Sequence, residues 1–506
     1  MSDLGGYLET SRKLTPQELE SQLWKSANML RGSIDSADYK HYILGLLFLK
    51  RLSDVFEEET RRLVEKTGNQ ALACENPGAH QFFVPPRARW SCLKELTQNI
   101  GSELNRAIAE LEDHNSRLKG VLRLINYEDK EKLPEKALMR LLAYFSKLPL
   151  ANENLTDPDI LGNAYEYLVD RFADDAGKKG GEFYTPKMVA KLLVEILKPQ
   201  ESMRICDPTV GSGGMLIHAV KYIKTRGGDP KTLRVYGQEK NLNVWAICKM
   251  NMVLHGLIDA RIEKGDTLRD PKLVTSDQLI LFDRVLANPP FSLKNWGQRD
   301  AKKDKFGRFK YGIPPKNYGD LAFVQHMLAT TNETGMIGII LPHGVLFRGG
   351  AEATIRRNLL EEDLIEAVIG LPPNLFYNTT IPGVILVLNR SKDADRKNKV
   401  LFIHAAKEFE NGRTRNHLRE KDVKKIVSVF ENYGDVERYS RVVDMEEIME
   451  NDYILNISRF VDISEPEEEI NLLEVIEKWR TTIKARDDAV EQLERHLAEL
   501  GLGNRC

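Results

Sequence analysis

Between residue 203 and about residue 390, short strand-like runs alternate with longer stretches of helical periodicity. The runs fall at 204–206, 234–237, 261–264, 282–287, 336–341, 364–370 and 384–389. Strands joined through helices mostly run parallel, because each crossover returns the chain to the same end of the sheet. The pattern therefore predicts an α/β fold, a doubly wound, mostly parallel seven-stranded sheet with helices on both faces. In such a sheet ligands gather at the C-terminal strand ends, so the residues just after each run are where chemistry is expected.

The flanks read differently. Leu19, Leu23, Ala27 and Leu30 recur at helical spacing, and Tyr42, Ile43, Leu46, Leu47, Leu49, Leu52, Val55 and Phe56 form a nearly continuous apolar set within 39–56. Further helical patterns follow near 96–111 and 137–144. Residues 1–160 are thus expected to be a helical domain, 161–400 the sheet domain, 401–465 a mixed extension and 466–506 a long helix. In that last stretch Ile476, Ile483, Val490 and Leu497 recur every seventh residue, with Trp479, Leu493 and Leu500 three positions later and Arg486 breaking the second series. Such a seam packs against another helix, in this chain or on a partner.

Four strand ends carry candidate chemistry. Asp207 closes the first run and leads into Pro208, Thr209, Val210, Gly211, Ser212, Gly213 and Gly214, glycines that let the backbone turn tightly against a ligand. The loop departs from the dinucleotide fingerprint and lacks the Lys-Ser/Thr ending of a phosphate-cradling loop, which argues against hydride or phosphoryl transfer. Glu239 ends the second run, where a carboxylate can accept both hydroxyls of a ribose, and Asp266 follows the third, where it can meet an adenine amine. After the fourth comes Asn288-Pro289-Pro290-Phe291. Asn288 offers a side-chain carbonyl, Pro289 a backbone carbonyl without a competing donor, and Phe291 a ring face, which together suit the exocyclic amine of a flipped base. A proline-rich turn that merely ends a strand would carry the same residues.

Upstream, Thr185 and Pro186 suit an N-cap and first helical turn ahead of Val189, Leu192, Leu193, Ile196 and Leu197. Phe183 and Tyr184 lie just before that helix, free to cover a ligand or to pack inside. Five scattered cysteines exclude a disulfide framework and a Cys-x-x-Cys metal site, so no metal is expected. The opening residues carry no signal-peptide pattern and no apolar run is long enough to cross a bilayer, which fits a cytoplasmic protein without a membrane partner. A net charge of −2 leaves any nucleic-acid grip to a local basic surface or to a partner. One such surface is 294–316, where Lys294, Arg299, Lys302, Lys303, Lys305, Arg308, Lys310 and Lys316 interleave with Trp296, Phe306, Phe309 and Tyr311. Phosphate contact with stacking, or a plain solvated loop, both accommodate it.

Together the Asp-Pro-Thr-Val-Gly-Ser-Gly-Gly run at 207–214, Gly237-Gln238-Glu239, Gly265-Asp266-Thr267-Leu268 and Asn288-Pro289-Pro290-Phe291 resemble the amino-group DNA methyltransferases that use S-adenosyl-L-methionine. More narrowly, the chain resembles the modification (M) subunit of type I restriction-modification systems, an adenine-N6 methyltransferase. The likeness extends to Leu23-Trp24, to 47–55, to 181–186, to 451–456 and to Ser458-Arg459, and Val210 departs from it by standing where many relatives carry cysteine or a smaller residue. The resemblance implies that Phe183, Tyr184, Thr185, Asp207, Thr209, Gly211, Ser212, Gly213, Glu239 and Asp266 serve the cofactor, and that Asn288, Pro289, Pro290 and Phe291 serve the base. It also implies double-stranded DNA, a specificity (S) subunit that reads the target sequence, a second M subunit and a restriction (R) subunit as partners. Methyl transfer to an RNA base amine or a protein glutamine amide, and a non-catalytic assembly role for the same fold, remain open at this level.

Overall fold

A computed structural model describes residues 13–30, 36–131, 133–157, 159–176, 184–377, 379–412, 415–464 and 472–501. Met1–Asp462 form one compact unit and Ile463–Cys506 a second.

All seven expected strands form, as β1 (Arg204–Asp207), β2 (Arg234–Glu239), β3 (Arg261–Lys264), β4 (Phe282–Ala287), β5 (Thr331–Pro342), β6 (Ile365–Gly370) and β7 (Gly383–Asn389). Two more, β8 (Lys399–His404) and β9 (Ser440–Asp444), join the same sheet, so the mixed extension contributes strands rather than only packing against it. The order is β9-β8-β6-β7-β5-β4-β1-β2-β3. Parallel pairing links β3, β2, β1, β4 and β5, and again β6 with β8. β7 runs antiparallel between β5 and β6, since the short link from β6 holds no helical crossover that could turn it parallel.

Why these runs are strands is visible along β7. Val384, Leu386 and Leu388 join the apolar cluster on one face, while Ile385 and Val387 join the cluster on the other. A strand covered on both faces needs apolar residues at every position, which is why it reads as an unbroken run. The edge strands β3 and β9 are short and carry Arg261, Glu263, Lys264, Arg441 and Asp444, charges that discourage further pairing.

The N-terminal region is helical, with α1 (Pro16–Asn28), α2 (Ser36–Thr67), α3 (Ile100–His114), α4 (Glu135–Phe145) and α5 (Asp159–Ala176). Its interior is continuous with one face of the sheet: Leu19, Leu46, Leu104 and Tyr165 belong to the same apolar cluster as Leu192, Leu286 and Ile385. Tyr165 on α5 donates its buried hydroxyl to the Ile247 carbonyl of α8 (Leu242–Leu254), tying the helical region to the helix after β2.

Between them, α6 (Lys187–Leu197) lies over the centre of the sheet, with Val189, Leu192, Leu193, Ile196 and Leu197 buried as expected. Gly338 in β5 permits that approach, because a Cβ there would stand 2.8 Å from Leu193 Cδ1. Its cap differs from the sequence reading. Pro186 is the N-cap, no side chain caps the helix, and the Thr185 hydroxyl serves Asn288 instead. α7 (Gly214–Thr225) follows β1, α9 (Asp320–Ala329) precedes β5, and α10 (Ala351–Glu361) and α11 (Glu420–Asn432) complete the layers.

The second unit contains α12 (Leu472–Glu499), 28 residues without a buried side chain. Leu472, Leu473, Val475, Trp479, Val490, Leu493 and Leu500 are all exposed, Trp479 by 62%. A solitary helix gains nothing from so much exposed apolar surface. Among the described residues, no helix is long and apolar enough to cross a membrane.

Candidate active site

From β1 the chain steps outward to β2 and β3, then returns past β1 to lay down β4 and β5 on its other side. The reversal opens a crevice at the C-terminal ends of β1 and β4, between Asp207 and Asn288. A cavity of about 450 Å³ fills that crevice, lined among others by Thr185, Thr209, Gly211, Ser212, Glu239, Asp266, Asn288 and Pro290. Its size lies in the range of sites for cofactor-sized ligands.

The glycine turn follows β1. Gly211 and Gly213 both sit at positive φ, 54° and 86°. At Gly213 the left-handed backbone favours glycine, and a Cβ there would also push the Met252 Cε on α8 aside, 2.3 Å away. Asp207 is fully buried; its Oδ1 accepts the Thr209 backbone N–H at 2.9 Å, while Oδ2 has no hydrogen-bond partner. Burial, reinforced by the nearby Glu239 carboxylate and resisted by Thr209, lifts its pKa to about 8. A buried carboxylate oxygen without a partner is costly, and a cationic ligand group would relieve it.

Glu239 closes β2 with Oε2 accepting the Gly211 N–H at 3.1 Å and Oε1 the Asn241 N–H at 2.7 Å. Burial raises its pKa against those bonds. Its carboxylate is therefore aimed by the glycine turn on one side and by the start of α8 on the other. Asp266 lines the same cavity at the end of β3; Oδ1 accepts two backbone N–H groups, from Leu268 and Arg269, and Oδ2 pairs with Lys240 at 2.9 Å. Thr267 donates its hydroxyl to the Pro208 carbonyl at 2.6 Å and locks the β3 loop to the β1 loop. The orphaned oxygen of Asp207, the oriented Glu239 and the left-handed glycine turn fit a nucleoside carrying a charged tail, the shape of S-adenosyl-L-methionine.

Across the crevice, Asn288 is half-buried and donates Nδ2 to Thr185 Oγ1 at 3.0 Å. Pro289 is buried, while Pro290 is exposed and lines the cavity. Phe291 packs edge-on against Phe376, ring centroids 5.6 Å apart. Ser292 leaves the tetrad at φ 52° and its N–H donates to Asp320 Oδ1 at 2.7 Å. Asp320 is wholly buried and is in turn met by Arg348 at 3.4 Å. A non-glycine residue in left-handed conformation persists only when its surroundings hold it, and these do.

The structure thus gathers Thr185, Thr209, Gly211, Ser212, Glu239, Asp266, Asn288 and Pro290 around one cavity, with Asp207, Gly213, Pro289 and Phe291 supporting it from behind or beside. Tyr184 stands apart: its ring packs edge-on against Tyr377 at 5.4 Å and its hydroxyl engages the Asp170 carboxylate. Phe183 lies outside the described residues. Sequence reading missed Phe376, Asp320, Asn241, Leu293 and Phe323, and had Thr267 only as part of the motif at 265–268. Asn241 alone left a signal, since it follows the second strand as an N-cap residue and does cap α8.

The basic stretch 294–316 is a folded loop rather than a loose one. Its ends meet through Asn295 N–H to the Lys316 carbonyl and Gly319 N–H to the Leu293 carbonyl. Trp296 and Tyr311 are buried, and Arg308 is buried among Asp304 and the Thr267 and Leu268 carbonyls, which removes these three from any stacking or phosphate role. Lys294, Arg299, Lys302, Lys303, Lys305 and Lys316 remain exposed. Lys302 and Lys303 form no ion pair with the described residues, whereas Lys305 has Asp277 within 3.8 Å.

Residues 156–469 match the family model described as N-6 DNA Methylase, and residues 19–145 match that of the HsdM N-terminal domain. Among curated proteins, the chain is 34% identical to the type I restriction enzyme MjaVII methylase subunit of Methanocaldococcus jannaschii, across 96% of this chain and 85% of that protein. It is 33% identical to the HindI methylase subunit of Haemophilus influenzae, across 76% of this chain and 91% of that one. The solved methyltransferase subunit of a type I restriction-modification system from Streptococcus thermophilus has the same fold, with a TM-score of 0.79 and 32% identity over 89% of this chain and 100% of that one.

Proposed function

The chain belongs to the N-6 DNA methylase family as a modification (M) subunit of the type I restriction-modification kind, and on that premise we propose that it methylates the N6 amine of adenine in double-stranded DNA, with S-adenosyl-L-methionine as donor and the site above as catalytic centre. The observation that carries the assignment is the side-by-side placement of two dissimilar half-sites, the glycine turn after β1 and the Asn288 tetrad after β4, on one crevice.

The chemistry that bound S-adenosyl-L-methionine supplies is an electrophilic methyl group on a sulfonium. In this chain Glu239 would accept the ribose hydroxyls, Asp266 would flank the adenine, and Asp207, Thr209 and the backbone of Thr185, Gly211, Ser212 and Gly213 would hold the amino-acid tail. Opposite, Asn288 Oδ1 and the Pro289 carbonyl accept the two N–H bonds of the target amine. Two acceptors for two donors draw the nitrogen lone pair out of ring conjugation and aim it, so the work is orientation and electrostatics rather than strong base catalysis. Phe291, backed by Phe376, gives the extruded base a ring to stack against.

The proposal extends to partners and place. A separate S subunit reads the sequence, a second M subunit completes the methyltransferase, an R subunit joins for restriction, and the assembly works in the cytoplasm. Labelled S-adenosyl-L-methionine and mixed-sequence duplex should yield N6-methyladenine when the chain is supplied with its S subunit. Label on RNA or on a glutamine amide in preference to duplex DNA would overturn the reading.

Two further outcomes follow from the electrostatics. An ammonium at Asp207 favours its ionised form, so binding at pH 7 expels a proton from a group that titrates at about 8. Cofactor affinity should therefore weaken by about tenfold for each pH unit below that value, and calorimetry in buffers of different ionisation enthalpy should detect close to one proton released. Asp207→Asn should flatten this dependence; a wild-type profile in that variant would remove Asp207 from the tail site. Replacing Lys302, Lys303 and Lys305 together with Ala should weaken DNA binding by the M and S assembly and flatten its salt dependence by about 0.9 for each lost phosphate contact. Unchanged binding and slope would leave the loop a solvated surface.

A further inference from the structure

Resting on the assignment of Asn288 as acceptor for the target amine, one contact gives Thr185 a second task. A carboxamide is planar, with a donor nitrogen on one side and an acceptor oxygen on the other, and only the oxygen is useful to an amine. Turning Asn288 by half a revolution would place donor against donor. In the productive orientation Nδ2 points away from the base and needs an acceptor of its own, because an unpaired buried donor forfeits its hydration without compensation. Thr185 Oγ1 is that acceptor, 3.0 Å away.

Thr185 is itself firmly placed. Behind it, Pro186 starts α6, whose apolar face is buried over β5. Ahead of it, Tyr184 is fixed by Tyr377 and by Asp170 of α5, and the Tyr377 hydroxyl donates to the same Asp170 carboxylate at 3.0 Å. The helical region thereby reaches the reacting centre through two consecutive residues.

We infer that Thr185 is a positioning residue for Asn288, accepting its Nδ2 and so holding the carboxamide with Oδ1 left to the target amine, a role of its side chain separate from any contact with the methyl donor. The measurement is the single-turnover rate of methyl transfer by the assembled M and S subunits at saturating S-adenosyl-L-methionine, beside the dissociation constant for that donor. Thr185→Val should slow transfer about 10- to 100-fold, the range expected when a reacting group is misplaced, while the dissociation constant moves less than about threefold. Thr185→Ala, which removes the acceptor without filling its space, should fall with it, and Thr185→Ser should recover a rate within about threefold of wild type.

Wild-type rates in both the Val and Ala variants would overturn the inference, as would a loss of rate that saturating donor restores, since Thr185 would then serve the donor alone. Asn288→Ala separates this from the parent assignment: if that variant still transfers methyl groups at full rate the amine site itself is misassigned, whereas an inactive Asn288→Ala beside a fully active Thr185→Val defeats only the positioning role.

Discussion

Replacement of Asn288 by Ala is expected to lower methyl transfer by at least about 10³-fold while donor binding changes little. The change removes one of the two acceptors for the amine and with it the control of the lone pair, so loss of orientation and loss of charge stabilisation act together. Donor binding should survive because Asp207, Glu239 and the glycine turn are held by bonds that do not involve Asn288: Thr209 to Asp207, and Gly211 and Asn241 to Glu239. Fold should survive as well, since Asn288 is half-buried and its side-chain hydrogen bond to Thr185 is lost without stranding a charge. Transfer rate and donor affinity measured on the same preparation of assembled enzyme decide the matter. A variant that methylates adenine at the wild-type rate removes the tetrad from the mechanism.

Loss of α12 should have an equally large effect by another route. Its 28 residues bury no side chain, yet its heptad seam, Ile476, Ile483, Val490 and Leu497 with Trp479 and Leu493, has the period of a helix made to pack on a helix. We propose that this seam meets the S subunit. Deleting residues 472–506, or placing Glu at both Ile483 and Val490, should abolish co-purification with the S subunit and, with it, methylation of duplex DNA. The melting temperature of the remaining chain should move by less than about 2 °C, since surface changes that uncover no core cost little. Donor binding should persist. Intact assembly after either change would place the S subunit on another surface.

Legibility followed the range of the interactions. Strand ends were readable because pattern and chemistry are local: Asp207, Glu239, Asp266 and Asn288 each stand at or within two residues of the end of a strand, and each lies at the crevice. β8 and β9 were not foreseen, because residues 399–404 and 440–444 carry the same apolar period as any packed segment, and their place in the sheet depends on pairing with β6 and with each other. Thr185 was read as a cap from its neighbours, Pro186 and the helix, yet its hydroxyl is claimed by Asn288, a residue remote in sequence. The basic loop was legible only in part: its cations and aromatics alternate as a nucleic-acid surface or a solvated loop would, and Trp296, Tyr311 and Arg308 have partners in the fold that no spacing reveals.

By itself the sequence determined the class of fold, the edge of the sheet on which ligands gather, and the residue types that chemistry there must use. Those follow from backbone periodicity and from what each side chain can donate or accept. Only the tertiary structure decided which of the candidates face the cavity, which way the Asn288 amide is turned, that Asp207 keeps an oxygen without a partner, and that Phe376 stands beside Phe291. The physical reason is that orientation, burial and pairing belong to contacts between distant segments, and no local pattern carries a record of them.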